Sequence, residues 1–170
     1  MNVKRFSSFS AVAVCVAIYI SGPVQAKPAS ALGHEALIGA CIREAASGRA
    51  WLEKTLWGLR DQEAGWVGAR IANANGTQDL GPLQVNSSWI PRLAKLTDRS
   101  HGQIRSWLEQ DACFNVQAAR WIFLSGLAAS GDYWTAIGIY HSPTLWRQRR
   151  YARSVLAHLH RRFGKAIFAR

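Results

Sequence analysis

A glutamate extends the apolar face of a predicted helix. Leu52, Leu56 and Leu59 are four and three residues apart, which is the spacing of one buried helix face, and Glu63 follows four residues later. Burial disfavours the charged form of a carboxyl group, so it raises the pKa and keeps the acid protonated near neutral pH. Glu63 is therefore a candidate general acid. The alternative is a frayed helix end that turns Glu63 to solvent.

The chain becomes polar directly after this helix. Residues 66–83 are rich in Gly, Asn, Thr and Asp and have no helical period, and Asn75-Gly76 is a strong hairpin-turn signal. A long polar loop or a small strand pair is therefore predicted. The segment carries one carboxylate, Asp79, which can cap the turn or hydrogen-bond loop amides.

Amide and aromatic side chains accompany this loop and suit a hydroxyl-rich ligand. If residues 83–86 are extended, Gln84 and Asn86 point the same way. Carboxamides both donate and accept hydrogen bonds, which suits sugars. Trp66 and Trp89 flank the loop and offer flat faces to sugar rings. The segment is therefore expected to form a glycan-binding surface.

Helical periodicity accounts for most of the remaining chain. The 170 residues are 49% hydrophobic, which is enough for the core of one domain and excludes disorder. Helices are predicted at residues 33–46, 51–63, 87–96, 100–110, 114–129, 133–140 and 145–163. The predicted fold class is mainly α: a helical bundle with one small polar loop or β-hairpin flap.

Residues 1–26 have the organisation of a secretory signal peptide. Lys4 and Arg5 form a positive region, and residues 11–20 form an apolar region of secretory length. Val24-Gln25-Ala26 then places small residues at the two positions that a signal peptidase reads. The mature protein is therefore expected to be exported. The alternative is an uncleaved membrane anchor.

The expected export determines how the cysteines are interpreted. Cys15 would be removed with the signal peptide, which leaves Cys41 and Cys113 as an even pair in an oxidising compartment. They are expected to form a disulfide, and the alternative is two buried free thiols. No metal site is predicted, because the chain has no Cys-x-x-Cys or His-Glu-x-x-His spacing, and His158 and His160 face different directions on a helix.

Basic residues exceed acidic residues, and the excess is concentrated near the C-terminus. The chain has 21 Lys and Arg against 10 Asp and Glu, a formal net charge of +11. No acid follows Asp132, and residues 133–170 carry eight bases. The segment 147–170 is a basic amphipathic helix with Tyr151 and Val155 on its apolar stripe. It packs on the domain or attracts an anionic polymer or membrane. Export and the lack of a recognition module argue against nucleic acid.

Three motifs in this order resemble those of soluble lytic transglycosylase (SLT) domains. They are Glu63-Ala64-Gly65, Gly81-Pro82-Leu83-Gln84-Val85-Asn86 and Tyr140-His141-Ser142. The family usually has Glu-Ser, Gly-Leu-Met-Gln-x-Asn and Tyr-Asn, so the chain departs from it at Ala64, Pro82, Leu83 and His141. The resemblance covers about residues 41–151. It is closest to the small single-domain members that accompany conjugation, pilus and secretion machines of Gram-negative bacteria.

This resemblance implies a lysozyme-like catalytic domain at residues 27–146. Such enzymes cut the β-1,4 bond between N-acetylmuramic acid (MurNAc) and N-acetylglucosamine (GlcNAc) in peptidoglycan and leave a 1,6-anhydromuramic end. Glu63 would be the sole catalytic acid and base. Gln84, Asn86 and Tyr140 match positions that bind substrate or orient the acid. No cofactor and no metal are implied.

The resemblance also implies a location and partners. Small members of the family often carry a Cys pair that matches Cys41 and Cys113. The expectation is a periplasmic monomer, or alternatively a secreted one, that acts on peptidoglycan glycan strands. Components of a secretion, pilus or conjugation machine are its candidate partners, and no nucleic acid is expected.

The sequence is also compatible with two other functions. Asn75 through Trp89 also resembles the strand-turn-strand of c-type lysozymes, in which an Asp occupies the position of Asp79. Glu63 and Asp79 would then be the acid and the nucleophile of a retaining hydrolase acting on the same bond. In a different class, the chain would be a non-catalytic basic module that binds cell wall or membrane through its C-terminal helix.

Overall fold

The structure, a computed structural model, describes residues 29–168 and is mainly helical. Within this range it contains seven α-helices and one three-stranded sheet. In chain order they are α1 (Ala29–Ala46), α2 (Ala50–Glu63), β1 (Arg70–Ala72), β2 (Gln78–Leu80), β3 (Val85–Asn86), α3 (Ile90–Thr97), α4 (His101–Gln110), α5 (Ala112–Ser130), α6 (Tyr133–His141) and α7 (Leu145–Phe163). The predicted fold class is confirmed: the fold is mainly α and lysozyme-like.

All the helices predicted from periodicity are present. The helix predicted at residues 87–96 differs at its start, because α3 begins at Ile90. Residues Ser87–Trp89 form a short 3-10 helix before α3. The Asn86 side chain caps it by accepting a hydrogen bond from the backbone N–H of Ser88 at 3.0 Å. Pro91 lies in the first turn of α3, where its missing N–H has no helical partner to lose. The predicted helix therefore begins as a tighter turn.

The polar segment between α2 and α3 forms an antiparallel sheet with the order β1-β2-β3, one strand more than a hairpin. Asp79 lies on the central strand, opposite Ile71 on one side and Asn86 on the other. Residues 83–86 do not form one extended run, so the condition under which Gln84 and Asn86 would point the same way is not met. Gln84 has φ +48°, in the left-handed region, and only Val85–Asn86 is strand.

The apolar stripe of α2 lies in the centre of the core. Leu52, Leu56 and Leu59 are completely buried, and each such side chain stabilises the fold by about 2 kcal/mol. On the other side of α2, Leu159 of α7 comes so close that a Cβ at Gly58 would lie 2.8 Å from its Cδ2 atom. Helix α7 is therefore packed directly on the helix that carries Glu63.

The disulfide expected from the cysteine pair is present. Cys41 in α1 and Cys113 in α5 are bonded, with their Cα atoms 4.8 Å apart and a separation of 72 positions in sequence. A crosslink that closes a loop of this length restricts the unfolded chain and stabilises the fold by about 4 kcal/mol in the chain-entropy account. The bond fixes α1 to the beginning of α5.

The predicted signal peptide, residues 1–26, lies outside the described residues. Among the helices within residues 29–168, none is both long enough and apolar enough to cross a membrane.

Candidate functional site

A groove of about 790 Å³ opens beside the C-terminal end of α2. Its walls come from the three-stranded sheet, the end of α6 and the beginning of α7. It brings together the five residues predicted to be catalytic or substrate-binding, which are Glu63, Asp79, Gln84, Asn86 and Tyr140. These residues come from four separate elements and span 78 positions of sequence, so only the packed bundle places them in one groove.

Glu63 is the last residue of α2, and the chain turns sharply after it. Ala64 adopts the left-handed conformation with φ 49°, and its N–H donates to the carbonyl of Arg60 at 2.9 Å, which ends the helix. The next residue passes very close to the sheet: a Cβ at Gly65 would lie 2.3 Å from the carbonyl oxygen of Gly81. This close approach sets the Glu63 side chain against the groove.

Burial raises the pKa of Glu63 to about 7. The negative charge of Asp79 adds a smaller increase, and a hydrogen bond from Tyr151 opposes both effects. A carboxyl group with this pKa is present in both protonation states near neutral pH. It can therefore give a proton in one step and accept one in the next, as a general acid and base must.

Tyr151 is the direct partner of Glu63. Its O–H donates to Glu63 Oε1, and its ring is almost completely buried. In the sequence, Tyr151 belongs to the apolar stripe of the last helix, and its contact with the acid was not predicted. The sequence feature that indicates such a role is a hydroxyl on an otherwise apolar stripe, because a buried Tyr O–H requires a hydrogen-bond partner.

The ring of Tyr151 is held between two neighbours. The ring of His141 lies parallel to it with centroids 4.6 Å apart, and the ring of Tyr140 stacks with it at 6.5 Å. Burial is the main reason that the pKa of His141 is lowered, which favours the neutral imidazole. Tyr140 itself donates to the carbonyl of Leu83 at 2.8 Å. Tyr140 thus holds the loop, whereas Tyr151 contacts the acid.

Asp79 is fixed by an amide of the neighbouring strand. Its Oδ1 accepts a hydrogen bond from Asn86 Nδ2 at 2.8 Å, and the same Nδ2 donates to Thr77 Oγ1 at 2.9 Å. The Asn86 oxygen meanwhile accepts from the backbone N–H of Ser88. The amide of Asn86 is therefore used within the protein, where it orients the carboxylate of Asp79 in the groove.

Gln84 occupies the tight turn between β2 and β3. Its Nε2 donates to the carbonyl of Gly81 at 2.8 Å, which stabilises the left-handed backbone of Gln84 itself. In the part of the chain that the structure describes, its side chain makes no other hydrogen bond. The remaining amide hydrogen and the amide oxygen are thus available to a ligand in the groove.

A buried asparagine of α5, which was not predicted from the sequence, anchors this loop. Asn115 is completely buried. Its Oδ1 accepts from the N–H of Leu83 at 2.9 Å, and its Nδ2 donates to the carbonyls of Leu80 and Leu108 at 2.8 and 2.7 Å. One side chain therefore satisfies three backbone groups that would otherwise be buried without partners. No local pattern marks such a residue in a helix.

The two tryptophans expected to contact sugar have different positions. Trp89 lines the groove and packs edge-to-face on Trp121 at 5.8 Å, with Arg92 lying over both rings. Trp66 is 56% exposed and does not line the groove. Only Trp89 can therefore offer a ring face to a ligand bound beside Glu63.

The chemistry available in this groove is that of carboxyl groups, amides and aromatic rings. Within residues 29–168 there is no group of three or more His, Cys, Asp or Glu side chains that could hold a metal ion. The carboxyl with the raised pKa, Glu63, lies beside a second carboxylate, Asp79, and both face the same open volume.

Comparison with known proteins gives one distant relationship. No family model matches the chain. The chain is 30% identical over 105 residues to the protein named Invasion protein IagB of Salmonella typhimurium, and equally to the protein of that name of Salmonella typhi. The match covers 59% of this chain and 62% of each relative, so the chain spans under two thirds of the relatives' length.

The geometry predicts that Tyr151→Phe raises the pKa of Glu63 further. The Tyr151 O–H stabilises the carboxylate, and its loss leaves burial unopposed, so an increase of about one pH unit is expected. Titration of the Glu63 carboxyl carbon by NMR measures it. Tyr140→Phe is the matched control, because it removes a hydroxyl from the adjacent ring that donates to Leu83 instead. An equal increase in both variants would contradict a specific role for Tyr151.

A second prediction concerns stability and pH. The pKa of Glu63 is about 7 in the folded protein against an ordinary value of 4.5, so the folded state holds this proton more tightly than the unfolded state does. Wild-type stability is therefore expected to fall as the pH rises from about 4.5 through 7, by on the order of 3 kcal/mol. The Glu63→Gln variant should lack this fall in stability with rising pH.

The free energy of unfolding of wild type and of Glu63→Gln is measured by urea unfolding at several pH values from about 4 to about 8. The stability of Glu63→Gln relative to wild type should increase with pH across this range. Glu44→Gln, on the exposed side of α1, controls for loss of a surface carboxylate. A difference that stays constant with pH would mean that Glu63 is not titrating in this range.

Proposed function

We propose that this chain is a peptidoglycan lytic transglycosylase that cuts the MurNAc–GlcNAc β-1,4 bond and leaves a 1,6-anhydromuramic end. The observation that carries the proposal is Glu63: a carboxyl with a pKa of about 7, in contact with Tyr151 and lining a groove that also contains amide, carboxylate and aromatic side chains. The order of the three sequence motifs, which resemble those of SLT domains, supports the same activity.

The groove has the chemistry of a glycan site. Amide side chains line it at Asn73, Asn75 and Gln84, and Trp89 adds an aromatic ring to the lining. Sugar hydroxyl and acetamido groups need both donors and acceptors, and amides supply both. The groove is partly open to solvent rather than an enclosed cavity, so it does not need to enclose its ligand completely.

In the proposed reaction, Glu63 starts protonated and gives its proton to the glycosidic oxygen as the bond from this oxygen to C1 of MurNAc breaks. The acetamido oxygen of the same sugar stabilises the positive charge at C1. The Glu63 carboxylate then takes the proton of the C6 hydroxyl, whose oxygen bonds to C1. The acid is regenerated, and no water is consumed.

Tyr151 suits the intermediate stage of this reaction. Glu63 carries a negative charge between the two proton transfers, and a charge in a buried position is costly without a donor. The Tyr151 O–H donates to the carboxylate at that stage. The opposing effects of burial and hydrogen bond place the pKa near 7, where one group can serve as acid and base in turn.

A lysozyme-type hydrolase is the second candidate. Asp79 faces the same groove as Glu63 and its charge raises the pKa of Glu63, as expected for two carboxylates that share a site. It would act as the nucleophile of a retaining mechanism. Against this role, Oδ1 of Asp79 is bonded to Asn86, which is engaged with the sheet. We therefore place it second.

The third candidate, a non-catalytic wall-binding module, does not need an acid of this kind. A binding surface gains nothing from a buried carboxyl whose pKa matches the working pH, and such perturbed groups concentrate at catalytic sites. Loss of cleavage without loss of glycan binding in Glu63→Gln would separate this candidate from the other two.

We further propose that the protein is exported to the periplasm and remodels the wall locally for a secretion, pilus or conjugation apparatus. The signal-like organisation of residues 1–26 supports export. The relatives carry the name Invasion protein, which supports a role in a process directed at the outside of the cell.

The proposed reaction predicts the product. Digestion of purified peptidoglycan with the protein should release muropeptides lighter by one water than those with a reducing end, detected by mass spectrometry. Glu63→Gln should lower the rate by about 10³-fold, since it removes the only proton donor and acceptor of the mechanism. Glu44→Gln, which changes an exposed carboxylate of α1, should keep the wild-type rate.

Asp79→Asn separates the two enzyme candidates. Under the transglycosylase mechanism it removes a charge near Glu63 but no reacting group, so activity should fall by about tenfold or less, with anhydro products unchanged. Reducing ends from the wild type, together with a loss as large as that of Glu63→Gln, would establish the hydrolase. Release of no fragments by the wild type beside an active control enzyme would remove both.

The export proposal predicts the N-terminus of the mature protein. After expression of the full chain in a Gram-negative host, the intact mass of the periplasmic protein should correspond to a chain that begins at Lys27. Ala26→Trp should block cleavage, because the peptidase reads a small residue there. A membrane-bound protein that retains Met1 would show an uncleaved anchor instead.

A further inference from the structure

A second concave surface lies between α6 and α7, with a volume of about 400 Å³. We name it the α6–α7 groove. Its apolar floor consists of Trp134, Leu145, Ala152 and Leu156, and its charged members are Arg149 and Arg153. It shares no lining residue with the groove beside Glu63. It is thus a separate surface, which the proposed reaction does not use.

The apolar part of this surface is exposed to an unusual degree. Leu145 is 67% exposed, and the adjacent Trp146 is 60% exposed. Both lie at the beginning of α7, where Leu145 lines the α6–α7 groove and Trp146 is its neighbour in sequence. Large side chains with this exposure, gathered beside a concave apolar floor, are typical of a surface that another molecule covers.

The charge of the surface is entirely positive. Arg149 and Arg153 are one turn apart, so their Cα atoms lie about 6 Å apart along the helix axis. Within residues 29–168 neither forms a salt bridge, whereas Arg60, Arg70 and Arg162 each pair with a carboxylate. No acid follows Asp132 in the sequence that could neutralise them.

We propose that the α6–α7 groove binds an acidic amphipathic helix of a partner protein. A helix of this kind has an apolar stripe, which would cover the floor around Trp134 and Leu156, and carboxylates beside it. Glu residues four apart on the partner would match the spacing of Arg149 and Arg153. Apolar anchoring with flanking charges is the usual way in which a groove takes a helix.

Other occupants fit this surface less well. A second copy of the chain carries the same charge of +11 and would be repelled. Residues 1–28 of the chain itself contain Lys4, Arg5 and Lys27 and no acid, so they lack the complementary charge. An anionic membrane would match the charge, but a flat bilayer cannot fill a concave floor. An acidic helix matches the charge and the shape together.

The test uses a designed peptide of about 18 residues, long enough for five helical turns, with a Leu stripe flanked by Glu and a fluorescent label. Fluorescence anisotropy should show saturable binding to the protein with a Kd in the micromolar range. The matched peptide with Lys in place of each Glu should not bind. The assay contains no glycan, so its outcome is independent of the reaction proposed for Glu63.

Protein variants locate the binding. Arg149→Glu with Arg153→Glu should weaken binding of the acidic peptide by about a hundredfold, since two attractive charges become repulsive. The control, Arg43→Glu with Arg99→Glu, makes the same change of net charge on α1 and on the α3–α4 connection and should bind like wild type. Leu145→Ser should weaken binding several-fold without unfolding, because this side chain is mostly exposed.

Three results would overturn the proposal. The first is no binding of the acidic peptide at about 1 mM, which is weaker than a specific helix contact. The second is an equal loss in the Arg43 and Arg99 control, which would show attraction to net charge alone. The third is binding to phosphatidylglycerol vesicles that depends on Leu145 and the two arginines while the peptide does not bind, which would identify a membrane surface instead.

Discussion

The burial of one carboxyl group is the constraint on which the rest of this molecule depends. Burial raises the pKa of Glu63, and the hydrogen bond from Tyr151 lowers it. Burial is the larger effect, and the balance places the pKa at about 7. A proton donor that is also a proton acceptor requires this balance, so both the apolar surroundings and the single hydroxyl are needed.

The elements that create this balance are far apart in sequence. Glu63 and Tyr151 are 88 residues apart, Tyr140 and its acceptor Leu83 are 57 apart, and Asn115 reaches Leu83 across 32 residues. Each contact joins a helix to the groove wall or to another helix. Helix α7 is consequently part of the site, because it supplies the hydrogen bond to the acid while it packs on α2.

Sequence patterns predicted the helices and some of the residues of the groove, and the reasons for success or failure differ between residues. The helix periods gave all seven helices, and the stripe of Leu52, Leu56 and Leu59 located Glu63 because helix geometry is a local property. Gln84 was misread, since an apolar–polar alternation cannot reveal a left-handed residue in a tight turn. Tyr151 and Asn115 were missed because their partners lie on distant elements, and only packing brings them together.

The geometry of α7 explains how one helix can serve two surfaces. Successive residues are rotated by about 100° around the axis, so positions two before and two after Tyr151 lie about 160° away from it, almost opposite. Those positions are Arg149 and Arg153, which are exposed. The side chain that contacts Glu63 and the charges of the α6–α7 groove are thus separated by the width of the helix. A change of charge on the outer face is therefore expected to leave the hydrogen bond to the acid in place, so the roles proposed for the two faces of α7 can be tested independently.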